Sequence, residues 1–435
     1  RILLFPNYSI NFEKDEAALP ATMRAGNRHR LRAAPDFHAY TGSPQCRLLT
    51  LYYYKALPGD LQERKSRKCF KKTNEKLNPL HKTKNKTKNR CRTLFKKATK
   101  ECKILYKNLT KSSDKQILFG HQDDLAYGFG WKYLPGESDV KRVSGHFPAV
   151  IGHDIGHIGN KVNIDTVSFD LIRKSIIETY CRGGVNTVSW HAQDPVLGGD
   201  SWSNRDSCVS TVADILPGAP HHAEWCKKLD LAAEFFKSLK APDGTTVPIL
   251  FRPFHEMNGD WFWWGRKHCS PEEYKQLFRF TVDYLIKNKK VHNLIITYSP
   301  NGVSSEEEFM ERYPGNEYVD IIGFDFYQIG KEGLKRYREE MNRNLKILTD
   351  VAKKTGKIAA LTETGFEQIP IPTWWTQILY PLIEPYPIAY VLLWRNGRPD
   401  HYYVPFPGQI SSPDFIKFCK FPRIKLQTND LNLYQ

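Results

Sequence analysis

The sequence predicts an α/β fold, a (β/α)8 TIM barrel, preceded by an irregular basic N-terminal extension. From residue 116 onward one pattern recurs eight times, an apolar run followed by a cluster of polar and aromatic residues. Amphipathic helices are predicted between several of these runs, and the succession of strand, helix and strand is the signature of parallel βα units. Eight such units, each with its polar cluster at the same end, favour a closed barrel whose functional site lies at the carboxyl ends of the strands.

The charge of the chain is concentrated near its N-terminus. The formal net charge is +17 over 435 residues. Residues 61–110 contain 18 Lys and Arg against 3 Asp and Glu, whereas residues 111–435 contain 38 against 39. We therefore predict two regions, a basic, poorly ordered extension over residues 1–104 and the barrel domain over residues 105–435. The extension is interpreted as a solvated arm, and binding of a polyanion is the alternative.

Cysteines and apolar runs exclude some other classes of protein. Nine cysteines are scattered without a CxxC motif or zinc-like spacing, so they predict neither a disulfide map nor a metal site. No run of about 18 apolar residues exists, so no membrane span is predicted. The opening residues RILLF are too short for the apolar core of a signal peptide.

The eight apolar runs are predicted strands, and their sequences show where polar residues begin. In chain order they are QILFGHQDD (116–124), AVIGHDIGH (149–157), VNTVSWHAQD (185–194), PILFRPFHEMN (248–258), NLIITYSPN (293–301), DIIGFDFYQ (320–328), IAALTETGF (358–366) and IAYVLLWRNG (388–397). The stretch 248–265, which extends the fourth run, breaks abruptly into Arg, His, Glu, Asn and the four aromatic residues WFWW at 261–264. Such a break is expected where a buried strand reaches the mouth of a barrel.

Helix signals between the strands have the right length for crossover connections. The clearest follows Ser270, which is a predicted N-cap with Pro271 at the first helical position and Glu273 placed for a capping box. Other helices are predicted over residues 168–182, 223–239, 332–354 and 374–384, with a closing helix after Arg398. The segment 191–224 is predicted to be a long loop that shapes the rim of the site.

Two glutamates occupy equivalent positions, because Glu256 ends the fourth strand and Glu363 ends the seventh. Across a barrel mouth such positions can hold two carboxyl groups about 5–5.5 Å apart, the spacing of retaining glycoside hydrolysis. Trp261 and its aromatic neighbours would raise the pKa of Glu256, which makes it the candidate acid/base. Glu363 then becomes the candidate nucleophile, and it requires donors that keep it ionised. Arg252 and Tyr327 are the candidates for that task.

These motifs together resemble glycoside hydrolase family 26. The segments are RPFHEMNGDWFWWG, LTETGF, SWHAQDP, GFDFYQ and LLWRN, and the resemblance covers roughly residues 105–420. It implies a clan A (β/α)8 endo-β-1,4-mannanase with Glu256 as acid/base and Glu363 as nucleophile. The substrate-binding residues that we predict are His191, Trp202, Arg252, His255, Trp261, Asp325, Tyr327, Trp394 and Arg395. His255 stands where other families of the clan have Asn.

The residue types fit a neutral sugar independently of the resemblance. The aromatic faces of Trp261 and Trp394 suit the apolar C–H face of a pyranose ring. His191, Asp325 and Arg395 offer donors and acceptors for hydroxyl groups. None of these roles requires a cofactor or a metal. The trio His153, Asp154 and His157 has only loose ligand spacing and is not expected to bind a metal.

The expected function is retaining endo-β-1,4-mannanase activity on mannan, glucomannan or galactomannan. The expected partners are β-mannan polysaccharides and manno-oligosaccharides, with no nucleic acid, and the expected state is a monomer. A polymeric substrate implies a secreted, periplasmic or cell-surface location. Three alternatives remain at this stage: another β-glycanase that cuts mixed-linkage glucan or xylan, a catalytically silent carbohydrate-binding barrel, and a polyanion-binding protein that acts through residues 61–110.

Overall fold

The structure, a computed structural model, describes residues 94–202 and 210–435. Residues 1–93 of the predicted extension lie outside the described residues, as do residues 203–209 of the predicted rim loop. The predicted boundary between residues 104 and 105 falls inside a helix that begins at Lys100. The buried face of this helix packs against strand residues of the barrel.

The strands of the described residues form a closed barrel with short additions. In chain order they are β1 (Ile117–Gln122), β2 (Tyr127–Gly128), β3 (Trp131–Lys132), β4 (Phe147–Pro148), β5 (Val150–Asp154), β6 (Val185–Trp190), β7 (Ile249–Pro253), β8 (Leu294–Tyr298), β9 (Ile321–Gln328), β10 (Ile358–Phe366), β11 (Tyr390–Leu393) and β12 (Ile424–Gln427). The barrel consists of β1 and β5 to β11, each paired in parallel with the next. Pairing of β11 with β1 closes it, with Leu118 opposite Tyr390.

Helices cover the outside of the barrel and connect its strands. They are α1 (Lys100–Ser112), α2 (Asp139–Ser144), α3 (Phe169–Cys181), α4 (Thr211–Ile215), α5 (His222–Ser238), α6 (Pro271–Asp283), α7 (Glu306–Glu311), α8 (Leu334–Thr355), α9 (Tyr380–Ile383) and α10 (Ser412–Phe418). A 3₁₀ turn spans Leu94–Lys97, and π-helical turns span Tyr284–Asn288 and Trp375–Leu379. Among the described residues, no helix is long and apolar enough to cross a membrane.

The predicted fold class is confirmed, and so is most of its element order. All eight apolar runs contain a barrel strand, and the five predicted crossover helices match α3, α5, α6, α8 and the turn that leads into α9. The capping box of α6 is present, because Ser270 Oγ accepts from Glu273 N while the Glu273 carboxylate accepts from Ser270 N. The hairpin of β2 and β3 and the short helices α2, α4 and α7 were not predicted.

Two apolar layers result from the alternation of side chains along the strands. Residues that point outward, such as Phe119 and Phe251, pack under the surrounding helices in the larger layer. Residues that point inward near the strand starts form the smaller one, for example Leu118 and Leu250. The smaller layer also contains Leu105 of α1. The amino-terminal end of the barrel is therefore filled by apolar side chains, and the polar residues gather at the carboxyl end.

Candidate active site

Three carboxylates meet at the carboxyl end of the barrel. Glu256 follows β7, Glu363 belongs to β10 and Asp325 belongs to β9. One oxygen of each carboxylate lies within 4.8 Å of an oxygen of the other two. A separation this short suits the carboxyl pair of a retaining glycosidase, since the inverting arrangement needs roughly 6.5–9.5 Å.

Arg252 lies between two of these carboxylates and fixes the position of Glu363. Its guanidinium is 1 % exposed and donates to Asp325 Oδ2 over 2.8 Å and, through Nη2, to Glu363 Oε1. The phenol of Tyr327 donates to the other oxygen, Glu363 Oε2, over 2.7 Å. Both oxygens of Glu363 thus accept hydrogen bonds, as an ionised carboxylate does. Such a group is suited to attack an electrophilic carbon.

Glu256 lies in a different environment, which favours its protonated form. Burial raises the pKa of Glu256 to about 7, and the nearby charge of Glu363 acts in the same direction. Hydrogen bonds from Asn301 Nδ2 (3.2 Å) and Trp261 Nε1 (2.8 Å) oppose this shift. The two glutamates therefore differ as a general acid and a nucleophile must.

The backbone at Glu256 is unusual for a residue with a side chain. Its φ is 53°, and Phe254 two residues earlier has a φ of 52°. Left-handed backbone at a non-glycine residue costs free energy and is found preferentially at functional sites. A hydrogen bond of 2.8 Å from Glu256 N to Ser299 O stabilises this turn. The strand thus ends abruptly, and the carboxyl group points into the mouth of the barrel.

Asp325 lies beneath the mouth, not on its open surface. It is fully buried, and its oxygens accept hydrogen bonds from Arg252 and from Ser299 Oγ, the latter over 2.9 Å. The sequence predicts that Asp325 contacts sugar directly. In the structure Asp325 accepts hydrogen bonds from Arg252 and Ser299 and has no exposed surface.

Two histidines line the wall next to the carboxylates in different protonation environments. His191 Nδ1 lies 2.8 Å from Asp154 Oδ2. Burial disfavours the charged form of His191, but Asp154 and Glu363 outweigh it and raise the pKa of the ring. For His255, burial and the charges of Arg252 and His191 lower the pKa well below its ordinary value. The two ring centres are 4.6 Å apart, so a charged His191 reinforces the neutral form of His255.

Aromatic residues form the remaining walls. Trp394 lies 6.1 Å from His191 between ring centres, and Trp202 packs edge-on against Phe262 at 5.0 Å. Trp261 is partly exposed beside Glu256. Its partly exposed face and that of Trp394 can stack on the apolar face of a sugar ring.

Arg395 belongs to a second charged group at the rim. It forms an ion pair with Asp165 over 3.0 Å, and one of its Nη atoms lies 3.4 Å from the phenol of Tyr127. That phenol donates to Asp123 Oδ2 over 2.6 Å. Burial, followed by the charge of Asp165, raises the pKa of Asp123 to about 8. A polar pocket of about 150 Å³ beside Arg395 is lined in part by Tyr127 and Asp165.

The structure brings the predicted site residues to the carboxyl end of the barrel, with Asp325 buried beneath its mouth, and it adds others. Sequence reasoning missed Asn301, Asp165, Tyr127 and Asp123. Asn301 closes the fifth predicted strand and so had a positional signal, whereas Asp165 lies in a loop that only the fold brings near Arg395. Asp154 accepts hydrogen bonds from Ser189 Oγ, the Gly156 backbone and His191.

The cluster of Glu256, Asp325 and Glu363 has the composition of a cation site, so its charge balance matters. Arg252 already donates to two of these three carboxylates. A metal ion there would have to compete with a buried guanidinium for the same oxygens. The donor set therefore fits charge compensation by Arg252 better than metal ligation.

A (β/α)8 barrel with two closely spaced carboxylates in different hydrogen-bonding environments, at the carboxyl ends of the fourth and seventh barrel strands, defines the class of (β/α)8 glycoside hydrolases. The sequence model described as glycosyl hydrolase family 26 matches residues 95–376. The chain belongs to glycosyl hydrolase family 26, as its motifs predict.

Relatives and solved structures agree with this assignment. The chain is 31% identical over 350 residues to a mannan endo-1,4-β-mannosidase of Bifidobacterium adolescentis, a match that covers 74% of this chain and 34% of that protein. A Bacillus subtilis mannan endo-1,4-β-mannosidase is 27% identical over 56% of this chain and 68% of its own length. The match thus spans about a third of the Bifidobacterium protein.

The fold comparison covers the whole barrel. A GH26 β-mannanase from Bacteroides ovatus superposes with a TM-score of 0.74 and 45% identity, over 78% of this chain and 98% of that one. The catalytic domain of a Bacillus sp. JAMB-750 GH26 endo-β-1,4-mannanase gives a TM-score of 0.72 and 30% identity, over 78% and 94% of the two chains.

Proposed function

We propose that the chain is a retaining endo-β-1,4-mannanase that hydrolyses internal bonds of mannan, glucomannan or galactomannan by double displacement. The observation behind this proposal is the pair Glu256 and Glu363, with oxygens within 4.8 Å and opposite hydrogen-bonding environments. The names of the relatives supply the substrate class.

The first step forms a covalent glycosyl-enzyme. Glu363 attacks the anomeric carbon of the mannosyl unit, and the bond from that carbon to the glycosidic oxygen breaks. Glu256 donates its proton to the departing oxygen, so the leaving chain end departs as an alcohol. Arg252 and Tyr327 hold the attacking carboxylate in place, which removes the entropic cost of finding the attack geometry.

The second step returns the enzyme to its starting state. Glu256, now ionised, takes a proton from a water molecule, whose oxygen attacks the anomeric carbon. The ester bond to Glu363 breaks and the carboxylate is regenerated. Esterification of Glu363 removes the negative charge that helps raise the pKa of Glu256, so Glu256 is a stronger acid in the intermediate and remains ionised as a base.

Sugar binding is assigned to the walls of the mouth. Trp261, Trp394 and Trp202 would stack on ring faces, while His191 and His255 would bond hydroxyl groups. Arg395 would bind the sugar unit next to the mannosyl unit that Glu363 attacks. We further propose that the protein acts as a monomer on polysaccharides outside the cytoplasm, in a secreted, periplasmic or cell-surface location, without nucleic-acid partners.

Product analysis tests the proposal. Linear mannan, glucomannan, mixed-linkage glucan and xylan are each incubated with the wild type and with Glu363→Ala, and products are separated by chromatography. We expect manno-oligosaccharides from the wild type alone, because the variant lacks the nucleophile. Azide should restore cleavage by Glu363→Ala of a substrate with a good leaving group, since it fits where the carboxylate stood.

The outcomes separate the alternatives. Early products in the β configuration by proton NMR support retention, and α products would overturn it. Cleavage of mixed-linkage glucan or xylan in preference to mannan would move the substrate to another β-glycan. If the folded wild type releases no product from any glycan, the remaining alternative is a catalytically silent carbohydrate-binding barrel.

A further inference from the structure

The segment that follows β8, Ser299 to Gly302, contacts one member of the proposed catalytic pair directly, Glu256, and is linked to the other, Glu363, through Asp325 and Arg252. Asn301 Nδ2 donates to Glu256 Oε1 over 3.2 Å. Ser299 O accepts from Glu256 N over 2.8 Å, and Ser299 Oγ donates to Asp325 over 2.9 Å. Asp325 in turn binds Arg252, the residue that donates to Glu363. One short segment thus connects the two carboxylates.

This segment is itself held from two sides. The amide of Asn258 clasps the backbone of Asn301: Asn258 Oδ1 accepts from Asn301 N over 2.7 Å, and Asn258 Nδ2 donates to Asn301 O over 3.0 Å. On the other side, Asp325 N donates to Pro300 O over 2.9 Å and Gly302 N donates to Asp325 O over 3.1 Å. The amide of Asn301 therefore has little freedom to leave Glu256.

We propose that Asn301, fixed by Asn258, is a positioning residue that orients the carboxyl group of Glu256 and thereby sets its geometry toward Glu363. This inference rests on the proposed function, because it concerns the acid and base steps of that reaction. Asn301 does not touch the reacting atoms in this assignment; it acts through Glu256.

The chemistry explains why such a residue is useful. Glu256 must donate a proton in one step and accept one in the next without moving, although its charge changes each time. The Nδ2 group of Asn301 only donates hydrogen bonds, and so does Trp261 Nε1 on the other oxygen. Neither neighbour can accept the acidic proton of Glu256. The proton is therefore available to the glycosidic oxygen of the bound substrate.

The same contact predicts a change in pH dependence. The hydrogen bond from Asn301 lowers the pKa of Glu256 against burial and the charge of Glu363, so its removal should raise that pKa. The charged groups that face Glu256 are Glu363 from β10, Asp325 from β9 and Arg252 from β7, and all three remain after substitution of Asn301. A shift would therefore report on the lost contact.

The test compares three variants of the full chain: Asn301→Ala, Asn258→Ala and the control Asn293→Ala. Asn293 is matched, because it is buried and its amide donates to two backbone carbonyls, Phe236 O and Val247 O, near the start of β8. The measurements are kcat/KM against pH on mannan, the rate on an aryl mannobioside with a good leaving group, and the thermal midpoint.

For Asn301→Ala we expect kcat/KM on mannan to fall about 10- to 100-fold, the scale of a misplaced acid catalyst. The aryl substrate needs little acid assistance in its first step and should lose much less. The alkaline limb of the profile of kcat/KM against pH, where the activity falls as Glu256 loses its proton, should move to higher pH. Asn258→Ala should reproduce both effects in weaker form with the Asn301 side chain intact, while Asn293→Ala should lower only the thermal midpoint.

Asn301→Asp gives a second route if the alanine variant does not fold. It keeps the backbone bonds to Asn258 and places a further carboxyl beside Glu256, in addition to those of Glu363 and Asp325, so the alkaline limb should move further upward. An unchanged alkaline limb in both Asn301 variants would overturn the inference. Equal losses of rate on the two substrates, accompanied by a lower thermal midpoint, would overturn it as well.

A measurement without turnover separates this inference from the proposed function. Carbon-13 NMR of glutamate-labelled protein follows the ionisation of Glu256, whose signal is identified by its loss in Glu256→Gln. A higher pKa in Asn301→Ala than in wild type supports the positioning contact even if no glycan is cleaved, and equal values contradict it. A wild type that cleaves no glycan contradicts the proposed function alone.

Discussion

At the residue scale, the two glutamates show how similar side chains acquire opposite roles. Glu363 accepts bonds from Arg252 and Tyr327, both strong donors. Among the residues that the structure describes, the side chains that donate to the Glu256 carboxylate are the neutral groups of Asn301 and Trp261. Chain position cannot account for this difference, since both residues lie near the carboxyl end of a barrel strand. The cause lies in the groups that neighbouring strands place beside each carboxyl.

The pKa of Glu256 predicts the pH dependence of stability as well as activity. Its folded-state pKa of about 7 lies above its ordinary value of 4.5. The protonated carboxyl therefore contributes to the free energy of unfolding at low pH, and this contribution is lost as pH rises through about 7. Glu256→Gln should therefore gain stability relative to wild type between pH 5 and pH 8, by at most about 3 kcal/mol. Urea unfolding at both pH values measures the difference.

The same variant should lose catalysis, because the acid is gone. On mannan we expect a fall of about 10²- to 10⁴-fold. In wild type, kcat/KM should decline as pH rises above about 7. A Glu256→Gln variant whose stability gain was equal at pH 5 and pH 8 would show that this carboxyl does not titrate between them.

The sequence predicts the part of the site whose residues belong to one motif at the end of one strand. It does not predict contacts between residues that are far apart in the chain and meet only in the folded protein. Glu256 and Arg252 share one strand end, so their proximity follows from the apolar run that precedes them. Asp165 and Arg395 are separated by about half the chain and meet only because the eighth strand closes beside the first. The prediction for Asp325 gave its neighbourhood, but the sequence does not show that its carboxylate is fully buried and hydrogen-bonded to Arg252 and Ser299.

At the scale of elements, the strands were predictable because both faces of a parallel barrel strand are buried. This makes apolar runs with abrupt ends, and all eight were found. Helix α1 was missed because its pattern lies inside a lysine-rich tract, although Cys102, Leu105 and Leu109 form a buried stripe with spacing of three and four residues. The π-helical turns have no sequence signal that propensity can detect.

Helix α1 supplies a prediction at this scale. Leu105 is fully buried among inward-facing strand residues at the barrel end opposite the site. Leu105→Ala should cost about 2–5 kcal/mol of unfolding free energy through lost burial and a cavity, with kcat/KM on mannan unchanged below the unfolding transition. Lys107→Ala on the exposed face of the same helix is the control and should stay within about 0.5 kcal/mol of wild type. Equal, small losses of unfolding free energy in both variants would show that the packing of α1 against the strand starts does not stabilise the barrel.

At the scale of the whole molecule, the ends of the barrel have separate tasks. The mouth contains the polar and aromatic residues of the site, while α1 and the C-terminal residues Leu431 and Leu433 pack among the strand starts. The neutral balance of residues 111–435 suits an uncharged polysaccharide, for which steering by charge brings no gain in association rate. Stability and chemistry are thus placed at opposite ends.

This division predicts what N-terminal truncation does. A chain that starts at residue 94 keeps α1 with its buried face, so its thermal midpoint and its rate on soluble mannan should match those of the full chain. A chain that starts at residue 113 loses α1, exposes the apolar side chains at the strand starts and should melt at lower temperature or aggregate.

Measurements at low and high salt test whether the N-terminal residues bind a polyanion. If residues 1–93 bind a polyanion, the 435-residue chain should bind an immobilised anionic polymer with an affinity that falls steeply as salt rises. The chain from residue 94 should bind it more weakly. The KM for mannan should be the same at low and high salt in both chains, because the substrate is neutral. A slower rate on soluble mannan for the chain from residue 94 would instead mean that residues 1–93 take part in substrate binding or catalysis, and the basic extension would then belong to the enzyme's working site.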